Sequence, residues 1–307
     1  MPKEGDPWAA SEPKFMTDKP PVVLTIAGFD PSSGAGVTAD IKTIAAHACY
    51  GVACITAMTV QSTAAVRRVE PMDPALISDT LEELEADFDI AAVHIGMLGC
   101  GKVVKAVADF LAKGPSNRAA KAASKARLSN IVLDPILKSS SGAELLDGPG
   151  TRLLIERLIP LADVVTPNVD EATVITGIKV KDLEEMKAAA GKLHEMGASA
   201  VVVTGGHLDK AIDLLSYRTK RGTEQEIFKA ERQRSNSTHG TGCAFATAMA
   251  CHLALDRGLA EATLLAKTFV TAAISNGQTL GKGTGPVHHL YRMNQQRRAA
   301  GIGGEST

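Results

Sequence analysis

The sequence predicts an α/β fold: one domain on a doubly wound, mostly parallel sheet flanked by helices. Three observations point there. Six short apolar runs alternate with segments of helical periodicity, the pattern of strand and crossover helix. Glycine and polar residues collect just past those runs, at Gly28, Gln61, Gly96, Asp134, Asn168 and Gly205. In such sheets ligands bind beyond the carboxyl ends of the strands, so this clustering also reads as an enzyme. Finally, 307 residues with 45% hydrophobic content are enough for one large core.

Residues 1–20 lack a periodic apolar face and read as a disordered leader, leaving 21–291 for the domain and 292–307 for a flexible tail. The first strand is Val22 to Ala27, too short for a helix, followed by a loop through Asp30-Pro31 to Gly36 and a helix from Val37 to about Ala48. Gly51 to Val60 is the second strand. Residues 74–88 form an amphipathic helix with an acidic face, 91–96 a third strand and 101–113 a helix. The small basic stretch 114–129 reads as an exposed connection, with a binding patch as its sharper alternative. Ile131 to Asp134 is the fourth strand, 162–166 the fifth, and a helix carrying Asp170 and Glu171 follows. A helix over 181–197 precedes the sixth strand at 200–204. Residues 211–217 and 225–229 alternate as a hairpin does, and helices near 242–256 and 260–278 complete the order.

Composition excludes several classes of partner. A net charge of −1 gives no basic field for nucleic acid or an anionic membrane, and 4% aromatics leave few platforms for stacking bases. No stretch has the length of a membrane span or the pattern of a signal peptide. Five cysteines without a CxxC pair fit a reducing, cytoplasmic setting rather than a zinc site.

The most informative stretch is Ser237 to Ala248, where Gly240-Thr241-Gly242-Cys243 opens a long helix. A helix start with so little side chain exposes backbone N–H groups at the positive end of the helix dipole, which makes an anion site. Cys243 lies in that field, which is expected to lower its thiol pKa and make it a candidate base. The bland alternative is a glycine turn ahead of a core helix. Gly34 to Ala39 fits the GxGxxG/A pattern, but five residues separate Gly28 from Gly34 and Gln61 stands where a ribose-binding acid belongs, so a dinucleotide site is disfavoured. Asp40 in this segment reads equally as a contact to a small polar ligand or as an exposed residue of the first helical turn. Asp134 and Glu171, each past a strand end, are candidate magnesium ligands or, taken singly, helix-cap and surface acids. His94 reads as a satisfied core residue, and His239 as a group that orients the anion loop.

Taken in order, Gly28-Phe29-Asp30-Pro31-Ser32-Ser33-Gly34-Ala35-Gly36 with Asp40, Gly96-Met97-Leu98, Thr166-Pro167-Asn168 with Glu171, Gly205-Gly206-His207, Thr238 to Cys243 and Gly283 to His289 resemble the hydroxymethylpyrimidine/phosphomethylpyrimidine kinases of thiamine biosynthesis, in the ribokinase-like superfamily. The resemblance implies two successive phosphorylations with ATP and Mg²⁺ as cofactors. It implies a pyrimidine pocket lined by Gly28, Asp40, Gln61, Met97 and Ile136, with Gln61 offering both donor and acceptor to an aminopyrimidine edge. Gly240, Thr241, Gly242 and Cys243 are then catalytic, with Cys243 the base where many sugar kinases of the superfamily carry aspartate. Asp134, Asn168 and Glu171 face ATP and its metal. A homodimer is expected. Two departures stand out: Thr204 where the family often has lysine before Gly205, and Ser139-Ser140-Ser141-Gly142 where it often has Ala-Lys-Ser-Gly, the lysine being Lys138. The alternatives are a pyridoxal kinase of the same superfamily and a pyrimidine-binding regulatory protein that has lost catalysis.

Overall fold

The computed structural model describes residues 19–113, 128–139, 141–206, 211–230 and 235–293. Most of the expected leader, residues 114–127 of the expected connection, His207 and most of the expected tail lie outside them.

The strands are β1 (Val22–Phe29), β2 (Tyr50–Gln61), β3 (Val66–Pro71), β4 (Ile90–Ile95), β5 (Ile131–Leu133), β6 (Val164–Val165), β7 (Ala200–Gly205), β8 (Ala211–Thr219) and β9 (Gly222–Ala230). The helices are α1 (Gly36–Ala46), α2 (Pro74–Asp87), α3 (Gly101–Lys113), α4 (Gly148–Leu153), α5 (Val169–Thr176), α6 (Leu183–Glu195), α7 (Thr241–Ala254) and α8 (Leu259–Ser275). All nine strands form one sheet in the order β3-β2-β1-β4-β5-β6-β7-β8-β9. The six strands expected from the sequence are its parallel centre, from β2 through β7. The expected hairpin, β8 and β9, closes one edge with antiparallel pairing and is longer than the sequence pattern indicated.

Burial on both faces explains why the central strands read as continuous apolar runs. Alternate residues point to opposite faces. Leu24 and Ile26 join the core under α2, α3 and α6, whereas Val23 joins the core formed by Ile44 of α1 with α7 and α8. Helices α1 and α7 therefore lie on the same face, with their N-termini at the carboxyl end of the sheet.

Two elements were absent from the sequence reading. β3 is a polar edge strand, VRRVEP, pairing antiparallel with β2, so it lacks the apolar run that marks a buried strand. α4 runs into a π turn at Leu154–Leu158 and a 3-10 turn at Ile159–Leu161, and its glycine, proline and irregular winding erase a simple helical period.

Candidate active site

Two glycine loops meet at the carboxyl end of the sheet and build the site between them. Gly240 is the N-cap of α7 with φ of +81°, and a Cβ there would fall 1.9 Å from the Gly34 carbonyl oxygen. Gly36 opens α1 with φ of +61°, and a Cβ there would fall 2.2 Å from the Gly28 oxygen. Both positions demand left-handed backbone and near-contact of main chains, which only glycine meets. Asp30 locks the arrangement. Its carboxylate accepts from the Ser32 amide and hydroxyl and the Ala35 amide, and Nε2 of His239 lies 2.8 Å from its Oδ2. Burial works against the Asp30 anion, yet these hydrogen bonds hold its pKa below the usual carboxylate value. His239 thus orients the loop, as expected, and Asp30 is the anchor that the sequence reading missed.

No side chain caps the start of α7, so the helix presents bare amides there. The Thr241 amide turns back to the Thr238 carbonyl at 3.3 Å, and the Gly242 and Cys243 amides follow it in the first turn of α7. Facing them is Asp134, whose Oδ2 lies 3.7 Å from where a Gly242 Cβ would stand. That oxygen is buried without a hydrogen-bond partner. Asp134 follows β5 directly, and Pro135 makes a tight turn there that brings the Ile136 amide onto the Asp134 carbonyl at 2.8 Å. Asn168 and Glu171 arrive on α5 through a capping box: Asn168 Oδ1 accepts from the Asp170 and Glu171 amides, and Glu171 Oε2 accepts from the Asn168 amide. Glu171 is therefore a cap residue and also a buried acid beside Asp134.

Electrostatically the site is an uncompensated negative pocket. Burial, then the charges of Glu171 and Asp40, push the Asp134 carboxyl well up, against a hydrogen bond from the Cys243 thiol. Burial pushes Glu171 up to about 7 despite amide donors at Asn168 and Leu137. Cys243, only 9% exposed, has its thiol raised well above its ordinary value by burial first and by Asp134 and Asp40 next. This corrects the expectation of a lowered thiol pKa. The Gly36 amide does donate to the sulfur, but the helix-start field is outweighed by desolvation and the neighbouring carboxylates.

Such a pocket suits a divalent cation. A buried carboxylate oxygen with no partner needs one, and two carboxylates with phosphate and water oxygens completing the shell are the usual magnesium arrangement. Among the described residues no group of three His, Cys, Asp or Glu could by itself hold a metal ion.

Beside this pocket Gly28, Met97 and Ile136 come together. A Cβ on Gly28 would meet Met97 Sδ at 3.0 Å, and Met97 packs with Ala57, Leu145 and Ile136 in a small apolar cluster. Val66 and Val69 of the unforeseen strand β3 wall the same cluster. Gln61, at the end of β2, stands at its rim with Oε1 3.1 Å from Thr59 Oγ1 and Nε2 3.5 Å from His239 Nε2. Asp40 departs from expectation on both of its readings. It is 0% exposed, and its oxygens take the Thr25 hydroxyl at 2.7 Å and the Thr247 hydroxyl at 2.9 Å, with His94 Nδ1 at 3.4 Å. It ties β1, α1 and α7 together below the pocket. His94 is a core residue as expected, though its Nε2 lacks a partner. The two departures at the phosphate side leave Lys138 exposed and Thr204 with its amide on the Pro167 carbonyl.

The profile of the family described as phosphomethylpyrimidine kinase matches residues 30–288. The chain belongs to this family. It is 38% identical over 269 residues to a hydroxymethylpyrimidine/phosphomethylpyrimidine kinase of Haemophilus influenzae, covering 87% of this chain and 96% of that one. It is 39% identical over 277 residues to a thiamine biosynthesis bifunctional protein of Geobacter sulfurreducens, where the match covers 90% of this chain but about half, 53%, of the relative. Among solved structures, a Bacillus subtilis pyridoxal kinase in an ADP complex superposes with a TM-score of 0.76 at 32% identity, over 90% of this chain and 100% of that one. A phosphomethylpyrimidine kinase of Clostridium difficile gives 0.70 at 34% identity, over 83% and 99%. The fold of this kinase family is thus the one that the strand pattern predicted.

Proposed function

We propose that the protein transfers the terminal phosphoryl group of ATP to the hydroxymethyl oxygen of 4-amino-5-hydroxymethyl-2-methylpyrimidine, and then a second phosphoryl group to the monophosphate, in thiamine biosynthesis. The observation that carries this reading is the partnerless Asp134 oxygen facing the bare start of α7, with the Gly28, Met97 and Ile136 pocket alongside. Phosphoryl transfer asks a protein mainly for positioning and charge stabilisation. The Gly242 and Cys243 amides stabilise the migrating phosphoryl oxygens. Asp134 and Glu171 would hold magnesium, which would supply positive charge beside the phosphates and the two carboxylates. Cys243, in its thiolate form, accepts the hydroxyl proton at Sγ, where the Gly36 amide donates to the sulfur. Asn168 fixes Glu171 and the nucleotide side, and Gln61 reads the aminopyrimidine edge. Asp40 acts from below, by holding α1 and α7 in register.

A cytoplasmic setting belongs to the same reading, supported by five free cysteines. Among the described residues no helix is long and apolar enough to cross a membrane. So does a homodimer, for which the exposed Met58 and Val60 of β2 offer an apolar surface. The pyridoxal kinases among the structural relatives favour pyridoxal as a second substrate. Comparing kcat/KM for the two alcohols tests the assignment: preference for the aminopyrimidine is expected, and a preference for pyridoxal overturns the substrate.

A further inference from the structure

Lys267 of α8 and Asp213 of β8 form a buried ion pair that the proposed chemistry does not use. Nζ and Oδ2 are 2.6 Å apart, with the two side chains 10% and 8% exposed. Each partner also holds main chain. Asp213 Oδ1 accepts from the Gly205 amide at 3.0 Å, and Lys267 Nζ donates to the Ala211 carbonyl at 3.4 Å. A single pair of charges thereby fixes the last residue of β7 and the first residue of β8.

The other flank of that strand end belongs to the site. The Thr204 amide donates to the Pro167 carbonyl at 2.9 Å, and Asn168 bridges Thr204. Asn168 in turn caps α5 and holds Glu171. The chain of contacts runs without a gap from Lys267 through Asp213, Gly205, Thr204 and Asn168 to Glu171. Stability alone is a poor reason for such a pair, because replacing a buried ion pair with well-packed apolar residues is often neutral or stabilising.

We infer that Lys267 and Asp213 are a positioning pair for the nucleotide side of the site, setting the end of β7 and through it Asn168 and Glu171. The inference rests on the reading of Asn168 and Glu171 as the MgATP side. The pyrimidine pocket is formed by other elements, β1, β2, β3 and the loops after β4 and β5, so the effect on the two substrates is unequal. A merely structural pair affects both alike.

The experiment compares the double variant Lys267→Met/Asp213→Leu with the native protein and with Glu171→Gln. Removing both charges avoids leaving one of them buried and unpaired, so the remaining loss is that of the partners of the Gly205 amide and the Ala211 carbonyl. The expected result is a KM for MgATP raised about tenfold with a KM for the pyrimidine within twofold. Glu171→Gln is expected to raise the MgATP KM as well. A native MgATP KM in the double variant, with a raised one in Glu171→Gln, overturns the positioning role alone. An unchanged MgATP KM in Glu171→Gln overturns the underlying reading and the inference with it. Should the double variant not fold, Lys267→Gln serves: a rise confined to MgATP supports the pair's role, and equal rises for both substrates overturn it.

Discussion

Asp134→Asn is expected to make the metal-free protein more stable while nearly abolishing its activity. The native carboxylate is 5% exposed, its Oδ2 has no partner, and Glu171 and Asp40 both add negative charge around it. An amide of the same shape carries no charge to desolvate or repel, so the gain is largest above the raised Asp134 pKa, where the native group is an anion. Leaving a buried polar group unsatisfied costs about 1–3 kcal/mol, so relief of that order is the gain expected from the substitution. At about 2–4 °C per kcal/mol for a domain approaching this size, the melting temperature rises by roughly 2–12 °C. Magnesium with nucleotide reverses the order, since the native protein gains binding energy that the variant loses. Turnover falls by roughly 10²–10³, the range seen when a major electrostatic stabiliser of a transition state is removed. Thermal melts in chelator and in MgATP, alongside an ADP-release assay, read all three effects. A variant that melts below the native protein in chelator would refute the claim that this site stores uncompensated charge.

Cys243→Ala should leave pyrimidine binding intact and lower turnover by roughly 10²–10⁴, the range for losing a general base, whereas native turnover removes the thiol from the mechanism. Gly240→Ala forces a left-handed alanine and a Cβ 1.9 Å from the Gly34 oxygen, so a loss of roughly 2–4 kcal/mol by denaturant melts and a collapse of turnover are expected; near-native values of both would contradict the loop packing. His252 has its pKa lowered from 6.5 to about 4, by burial first and then by His47, Arg292 and Arg257. Its contribution is fully present above pH 6.5 and is lost as pH falls toward 4, because the unfolded chain takes up the proton first. At about 1.36 kcal/mol per pKa unit this reaches on the order of 3 kcal/mol. His252→Leu should therefore show a shallower loss of stability than the native protein between pH 6.5 and 4, and parallel curves would count against it.

What the sequence revealed and what it hid follow the range of the interactions involved. Val22 to Ala27 or Ala200 to Thr204 declare themselves because a strand buried on both faces needs an unbroken apolar run. β3 did not, since Arg67, Arg68 and Glu70 of this edge strand are exposed and give no such run. The burial of Asp40 was available in principle: it stands three residues after Val37 and four before Ile44, on the apolar face of α1. The raised Cys243 thiol was not, because its neighbours Asp134, Asp40 and Glu171 come from three other places in the chain. Local helix-dipole reasoning captured one favourable interaction and missed three opposing charges and the burial. The Asp30 and His239 lock joins residues 209 positions apart and was equally beyond local pattern.

The most direct test of the account is to incubate the protein with 4-amino-5-hydroxymethyl-2-methylpyrimidine, ATP and magnesium and follow the products by mass. The account predicts the monophosphate first and the pyrophosphate after it, with one ADP for each phosphoryl group and no reaction in chelator. Pyrimidine that binds but stays unphosphorylated, with no ADP formed at any magnesium concentration, would contradict it.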